Sequence, residues 1–268
     1  MRDSLMAIRK RFTGLYRNPY LSLGIARTVH GYLIVENLIT CGLKPFIGLV
    51  MAETNEQLEE TRLHCSKNPY WYYEKSMDPP ESQSGDMRYY MPMLYKKYNI
   101  PYVFIKDMNN SCLIELIRVC RIKLAILAEA PILKGAILGA FPNGIMNFHA
   151  ADLPAYRGSY ATYWNLYNDD PLYVTAHFVN RSIDMGSIIK KEKVHIQKGD
   201  SLPDVDTKCI ATMADMAVDL VKAGKKEKLD STLQEPWQGT TYRGAMPQDI
   251  QDELSVRFSE SVYSHYEL

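Results

Sequence analysis

From residue 21 to residue 149, short apolar runs alternate with longer stretches whose apolar residues recur every three or four positions, and this alternation narrows the fold more than any other feature. It predicts strands at 21–26, 44–51, 101–105, 124–128 and 144–148. Helices are predicted at 29–40, 53–66, 86–98 and 111–121, with Gly42 closing the first and Arg27-Thr28 forming a short turn before it. Strands joined through helices give an α/β fold with a mainly parallel sheet. Ligands of such sheets bind at the carboxyl ends of strands, where Glu129 and His149 fall. Further along, 174–179 and 188–196 alternate as two later strands, and 202–223 reads as a long closing helix. The stretch 77–85, rich in Pro, Ser and Gly, reads as an exposed loop. Three segments follow: 1–20 as an amphipathic helical extension, 21–225 as the main domain, and 226–268, which carries Pro236, Gly239, Gly244 and Pro247, as a small C-terminal appendage.

Composition excludes several classes. With 46% apolar residues, a chain of 268 can fill a sizeable core. Lys plus Arg equal Asp plus Glu at 31 each, so the whole chain offers no cationic field for a nucleic-acid polymer. Cys41, Cys65, Cys112, Cys120 and Cys209 are odd in number and contain no CxxC pair, which points to buried thiols in a reducing compartment rather than to zinc or a disulfide framework. Arg9-Lys10-Arg11 breaks any apolar signal region, and no run approaches the roughly 18 apolar residues of a membrane span, so a cytoplasmic protein without membrane insertion is expected. No GxGxxG follows a strand and no GxxxxGK[ST] occurs, which argues against nicotinamide or P-loop chemistry.

The chemistry concentrates after residue 141. Asn147 and His149 are two apart on a predicted strand, so their side chains share a face. A Leu153-Pro154-Ala155-Tyr156-Arg157-Gly158 turn follows. Beyond Thr175-Ala176-His177-Phe178-Val179, the segment Asp184-Met185-Gly186-Ser187-Ile188-Ile189 puts a carboxylate on a tight turn. Asn-x-His, Leu-Pro-x-Tyr-Arg-Gly and Asp-x-Gly-x-Ile-Ile in this order resemble the formyltransferase family that uses N10-formyltetrahydrofolate. The pattern is strongest from 123 to 196, and Ala150-Ala151-Asp152 departs from the Pro-Ser type sequence usual before Leu-Pro.

The resemblance implies a Rossmann-like formyltransferase catalytic domain, N10-formyltetrahydrofolate as co-substrate, no metal, and Asn147, His149 and Asp184 as catalytic residues. The residue types suit that chemistry. An imidazole with a pKa near 6.5 can take an amine proton, an amide N–H can donate to an oxyanion, and a carboxylate can orient the imidazole, raise its pKa or hold a relay water. These alternatives for Asp184 stay open. His177, on the strand leading to Asp184, is expected to support the site from behind.

Ala128-Glu129-Ala130-Pro131-Ile132-Leu133 resembles the family's folate loop, where main-chain groups bond the pteridine ring and Ile132 and Leu133 give apolar cover. Arg157 and Gly158 in the turn, with Tyr242 and Arg243 in the tail block Gln238-Gly239-Thr240-Thr241-Tyr242-Arg243-Gly244, are the candidates for binding the acceptor. The rings and cations at 70–73, 88–90 and 95–98 offer a second candidate surface for a base and a diphosphate, or packing in a homodimer. Most similar are stand-alone sugar N-formyltransferases, which implies a nucleotide-linked amino-deoxy sugar, such as a UDP-4-amino-4,6-dideoxy sugar of surface glycan routes, as partner. The alternative acceptor is another amine, such as an aminoacyl group.

Overall fold

A computed structural model describes residues 20–25, 28–52, 54–56, 90–109, 111–128 and 132–267. The expected helix in 1–20, most of the 53–66 helix, the 77–85 loop, the rings at 70–73 and Arg27 lie outside the described residues. The chain divides into two compact units, residues 1–146 with 218–229 and residues 147–217 with 230–268. The division differs from the expected appendage at 226–268: from residue 230 the tail belongs to the unit that holds Asn147, His149 and Asp184.

In the first unit, β1 (Tyr20–Ile25), α1 (Val29–Thr40), β2 (Ile47–Met51), α2 (Tyr90–Lys97), β3 (Tyr102–Ile105), α3 (Ser111–Cys120) and β4 (Leu124–Ala128) alternate as the sequence pattern predicts. The start of β5 (Ile145–His149) completes the strand order β3-β2-β1-β4-β5, with every neighbouring pair parallel. Thr28 caps α1 by accepting the Gly31 N–H at 3.1 Å, which satisfies one of the helix's free donors. Val35 and Ile39 of α1 pack with Val50, Met91, Leu94, Tyr95 and Phe104 in one core cluster. Within that cluster Tyr95 is fully buried and its hydroxyl meets Ser22 Oγ of β1 at 2.8 Å. Strand order reverses between β1 and β4, so the carboxyl end of β4 is where a doubly wound sheet offers a crevice. Cys120 is a buried thiol as expected, whereas Cys41, just past α1, is exposed.

In the second unit the strand order is β5-β7-β8, with β7 (Tyr173–Phe178) antiparallel to β8 (Ile188–Lys193). Two short strands, β6 (Tyr156–Gly158) and β9 (Thr240–Tyr242), form a separate parallel pair in which Gly158 stands opposite Tyr242. The helices are α4 (Ala161–Tyr167), α5 (Leu202–Gly224), whose last residues belong to the first unit, and α6 (Gln248–Ser259). α6 is tied to α4 by Tyr167 Oη on Glu253, Arg257 on the Tyr167 carbonyl, and the Arg257 guanidinium over the Tyr167 ring at 4.6 Å. Among the described residues no helix is long and apolar enough to cross a membrane.

Replacing Tyr95 with Phe leaves the Ser22 hydroxyl buried without its partner and should lower stability by about 1–3 kcal/mol in urea denaturation. An unchanged midpoint would mean that the buried hydroxyl pair contributes nothing.

Candidate active site

β5 places Asn147 and His149 on one side of the strand, both part-exposed, with Phe148 between them buried on the other. The next segment folds back in a turn held by three side chains. Thr175 Oγ1 of β7 accepts the Leu153 N–H at 3.2 Å and donates to the Ala151 carbonyl at 2.8 Å. Asn165 Oδ1 accepts the Asp152 N–H, and Thr162 Oγ1 donates to the Ala150 carbonyl. This turn brings the Tyr156 carbonyl to 2.9 Å from His149 Nε2. A carbonyl only accepts, so Nε2 carries the ring proton and Nδ1 is the nitrogen left to take another.

Asp184 sits between β7 and β8 in left-handed backbone, φ 49°, a conformation that costs most residues roughly 1–2 kcal/mol but is tolerated by Asp. Its carboxylate accepts the Gly158 N–H at 2.8 Å, and stands 3.6 Å from His149 Nδ1 and 3.5 Å from His177 Nε2. Two glycines make this approach possible. A side chain at Gly158, φ 88°, would meet the Tyr242 carbonyl oxygen at 2.0 Å, and one at Gly186 would meet the Phe178 carbonyl oxygen at 1.4 Å. The Asp-x-Gly spacing is thus imposed by the closeness of β7 to the loop.

His177 is only 2% exposed and cannot meet a ligand, but it orients one that can. Its Nδ1 donates to the Phe178 carbonyl at 2.9 Å, so in the neutral ring Nε2 bears a lone pair, which receives an N–H from Asn147 Nδ2 at 3.0 Å. That bond fixes which way the Asn147 amide faces and leaves its second N–H for another acceptor. The His149 and Asp184 side chains keep 11% and 16% exposure, enough to be reached by a reacting group.

Burial by itself would push the Asp184 carboxyl up, but His149, His177 and the Gly158 N–H outweigh it and hold the group well below the usual carboxylate range. Burial pushes His149 down, while the Asp184 charge opposes that shift and His177 adds to it. At neutral pH the pair is therefore a carboxylate facing a neutral imidazole. It can accept a proton at Nδ1 and stabilise the resulting cation, and the Asn147 amide can donate to an oxygen gaining charge.

The acceptor candidates separate. Arg157 is 1% exposed, with Nε on Gln234 Oε1 at 3.2 Å and its terminal nitrogens on the Glu235 and Gly239 carbonyls, so its guanidinium is sealed against the tail rather than open to a ligand. Gly158 acts through its main chain on Asp184. Tyr242 stacks on Trp164 with ring centroids 4.7 Å apart and lies parallel to Tyr156 at 6.2 Å, while Arg243 is exposed. Of the expected folate loop, Glu129, Ala130 and Pro131 lie outside the described residues. Ala128, the last residue of β4, and Leu133 are buried, and Ile132 is 60% exposed. Reading the sequence missed Gln234, Thr175 and the β6–β9 pair, because a buried amide, a strand threonine and three-residue strands carry no periodic signal.

In an NMR titration the His149 imidazole should show a midpoint below the ordinary value of about 6.5. Asp184→Asn should move it further down, since the substitution removes the charge that favours the imidazolium. A midpoint that rises in Asp184→Asn would contradict the coupling.

Residues 105–219 match the formyl transferase family. In sequence the chain is 28% identical over 124 residues to the methionyl-tRNA formyltransferase of Chlorobium chlorochromatii, an alignment that covers 46% of this chain and 38% of that protein. The chain thus spans well under half the length of that curated relative. In structure it is similar to a sugar N-formyltransferase from Shewanella sp, with a TM-score of 0.57 and 13% identity over 90% of this chain and 87% of that one. It is similar also to an N-formyltransferase from Helicobacter canadensis, with a TM-score of 0.56 and 15% identity over 85% and 71%. At these identities the likeness is one of fold. The matched residues 105–219 include Asn147, His149 and Asp184.

Proposed function

We propose that this chain is an enzyme that transfers the formyl group of N10-formyltetrahydrofolate to the amine of a nucleotide-linked amino-deoxy sugar, with Asn147, His149 and Asp184 as the catalytic residues. The observation that carries the reading is the convergence of an amide donor, an imidazole and a carboxylate, the last two 3.6 Å apart, within the segment matched to the formyl transferase family. When bound, the folate supplies the activated formyl carbon. His149 takes the proton from the attacking amine at Nδ1, and the neighbouring Asp184 charge stabilises the imidazolium. Asn147, turned by His177, donates its free N–H to the formyl oxygen as that oxygen gains charge. The proton held on His149 then leaves with the departing nitrogen, so that a formamide forms and tetrahydrofolate is released. Ala128, Glu129, Ala130, Pro131, Ile132 and Leu133, a run of sequence that begins at the last residue of β4, are proposed to bind the pteridine, and Arg243 the acceptor.

A sugar acceptor is supported by the fold-level likeness to sugar N-formyltransferases; the Helicobacter canadensis structure is described in complex with folinic acid and dTDP-3-aminofucose. It is supported also by equal numbers of cationic and anionic side chains, 31 each, which supply no field for a polyanion. UDP-linked 4-amino-4,6-dideoxy sugars are the first acceptors to test. A second reading, an aminoacyl-tRNA acceptor, is favoured by the methionyl-tRNA formyltransferase among the curated relatives.

The two separate when tetrahydrofolate release is followed with UDP- and dTDP-amino sugars and with aminoacyl-tRNA in parallel. Turnover with a nucleotide sugar is expected. Turnover with aminoacyl-tRNA and with none of the sugars would overturn the sugar reading. His149→Ala and Asp184→Ala should each lower kcat by at least about 10²-fold, and Asn147→Ala by about 10²–10³-fold. Retention of more than about a tenth of wild-type kcat would remove that residue from the mechanism.

A further inference from the structure

The catalytic carboxylate is anchored from a part of the chain that lies beyond the family match, which ends at residue 219. In the tail, Thr232 bridges to Ile188 of β8 through two main-chain hydrogen bonds of 2.8 Å, and two residues later Gln234 enters the second unit with 8% exposure. Every polar position of its amide is engaged. Nε2 donates to the Asp184 carbonyl at 2.8 Å and to the Gly186 carbonyl at 2.6 Å, and Oε1 accepts from Arg157 Nε at 3.2 Å. The orientation is over-determined: turning the amide over would set its oxygen against two carbonyls and its NH₂ against a guanidinium, neither of which can pair.

These three bonds reach both supports of the carboxylate. One support is the backbone of the left-handed turn that aims the Asp184 side chain, and Gln234 holds its carbonyls at 184 and 186. The other is the Gly158 N–H that binds Asp184 Oδ2, which follows directly after Arg157, whose guanidinium Gln234 receives. We infer that Gln234 is a positioning residue for the proposed reaction, clamping the Asp184 turn and the Arg157-Gly158 strand together so that the carboxylate stays within reach of His149. Gln234 touches neither His149 nor any reacting atom in this arrangement and acts only through Asp184. The role rests on the reading of Asp184 and His149 given above, and it assigns the tail a part in the chemistry rather than in packing alone.

Gln234→Met keeps most of the side-chain volume and removes all three hydrogen bonds; Gln234→Ala serves as the more disruptive companion. The His149 imidazole, which faces Asp184, His177 and the Tyr156 carbonyl, is titrated by NMR in wild type and both variants, with thermal melting as a measure of folding. If Gln234 positions Asp184, folded Gln234→Met should show a His149 midpoint lower by about half a pH unit or more, as the carboxylate drifts away. It should also show a kcat lowered about tenfold with KM for the amine nearly unchanged, as expected when an interaction made in the transition state is lost. A Gln234→Met protein whose melting temperature falls while His149 titrates as in wild type would overturn the inference and leave Gln234 a packing residue. The titration needs no turnover, so a wild-type protein without formyl transfer would defeat the proposed function and leave this result standing on its own.

Discussion

One part-buried carboxylate organises the second unit. Asp184 receives a main-chain N–H from Gly158 and stands within 3.6 Å of two imidazoles, and a carboxylate so far removed from water is costly without such polar neighbours. Much of the surrounding structure follows from that requirement. Gly158 and Gly186 are glycines because β9 and β7 approach too closely for a side chain. His177 donates from Nδ1 so that its other nitrogen can hold Asn147, and Gln234 ties down the two segments that frame the carboxylate. The site is a set of polar groups each of whose positions depends on another.

The same network assigns different tasks to residues of the same type. His149 and His177 lie with ring centroids 6.4 Å apart, nearly perpendicular, and both face Asp184. His149 retains access to a ligand and a free Nδ1, which suits proton transfer. His177 is sealed and has both nitrogens engaged, which suits the orientation of Asn147. Burial and hydrogen-bond direction, not residue identity, separate the ring open to a ligand from the sealed one.

Much of this was legible in the sequence. The βα rhythm gave α1 and β4 at their observed bounds, because buried strands and capped helices leave periodic traces that end at Thr28, Gly42 and similar signals. That Asn147 and His149 share a face followed from the two-residue period of a strand. What could not be read were groups whose importance arises only in three dimensions. Arg157 carried a charge and was expected at the ligand, yet it is buried against Gln234, Glu235 and Gly239. Tyr242 was expected at the acceptor, and its ring packs on Trp164. Gln234 had no local signature, since a single amide in an irregular segment looks like any loop residue. The tail read as an appendage because its proline and glycine content resembles a linker, whereas those residues allow the β6–β9 contact: a side chain at Gly239 would meet the Pro154 carbonyl oxygen at 1.9 Å.

In the proposed reaction this arrangement delivers a formyl carbon to an amine. Donor folate labelled with ¹³C in the formyl group, incubated with the protein and a UDP-linked 4-amino-4,6-dideoxy sugar and followed by ¹³C NMR, tests it most directly. The label should leave the donor and appear as a sugar formamide, and it should stay on the donor with His149→Ala. Label appearing as free formate, or formamide forming at the wild-type rate in the variant, would contradict it.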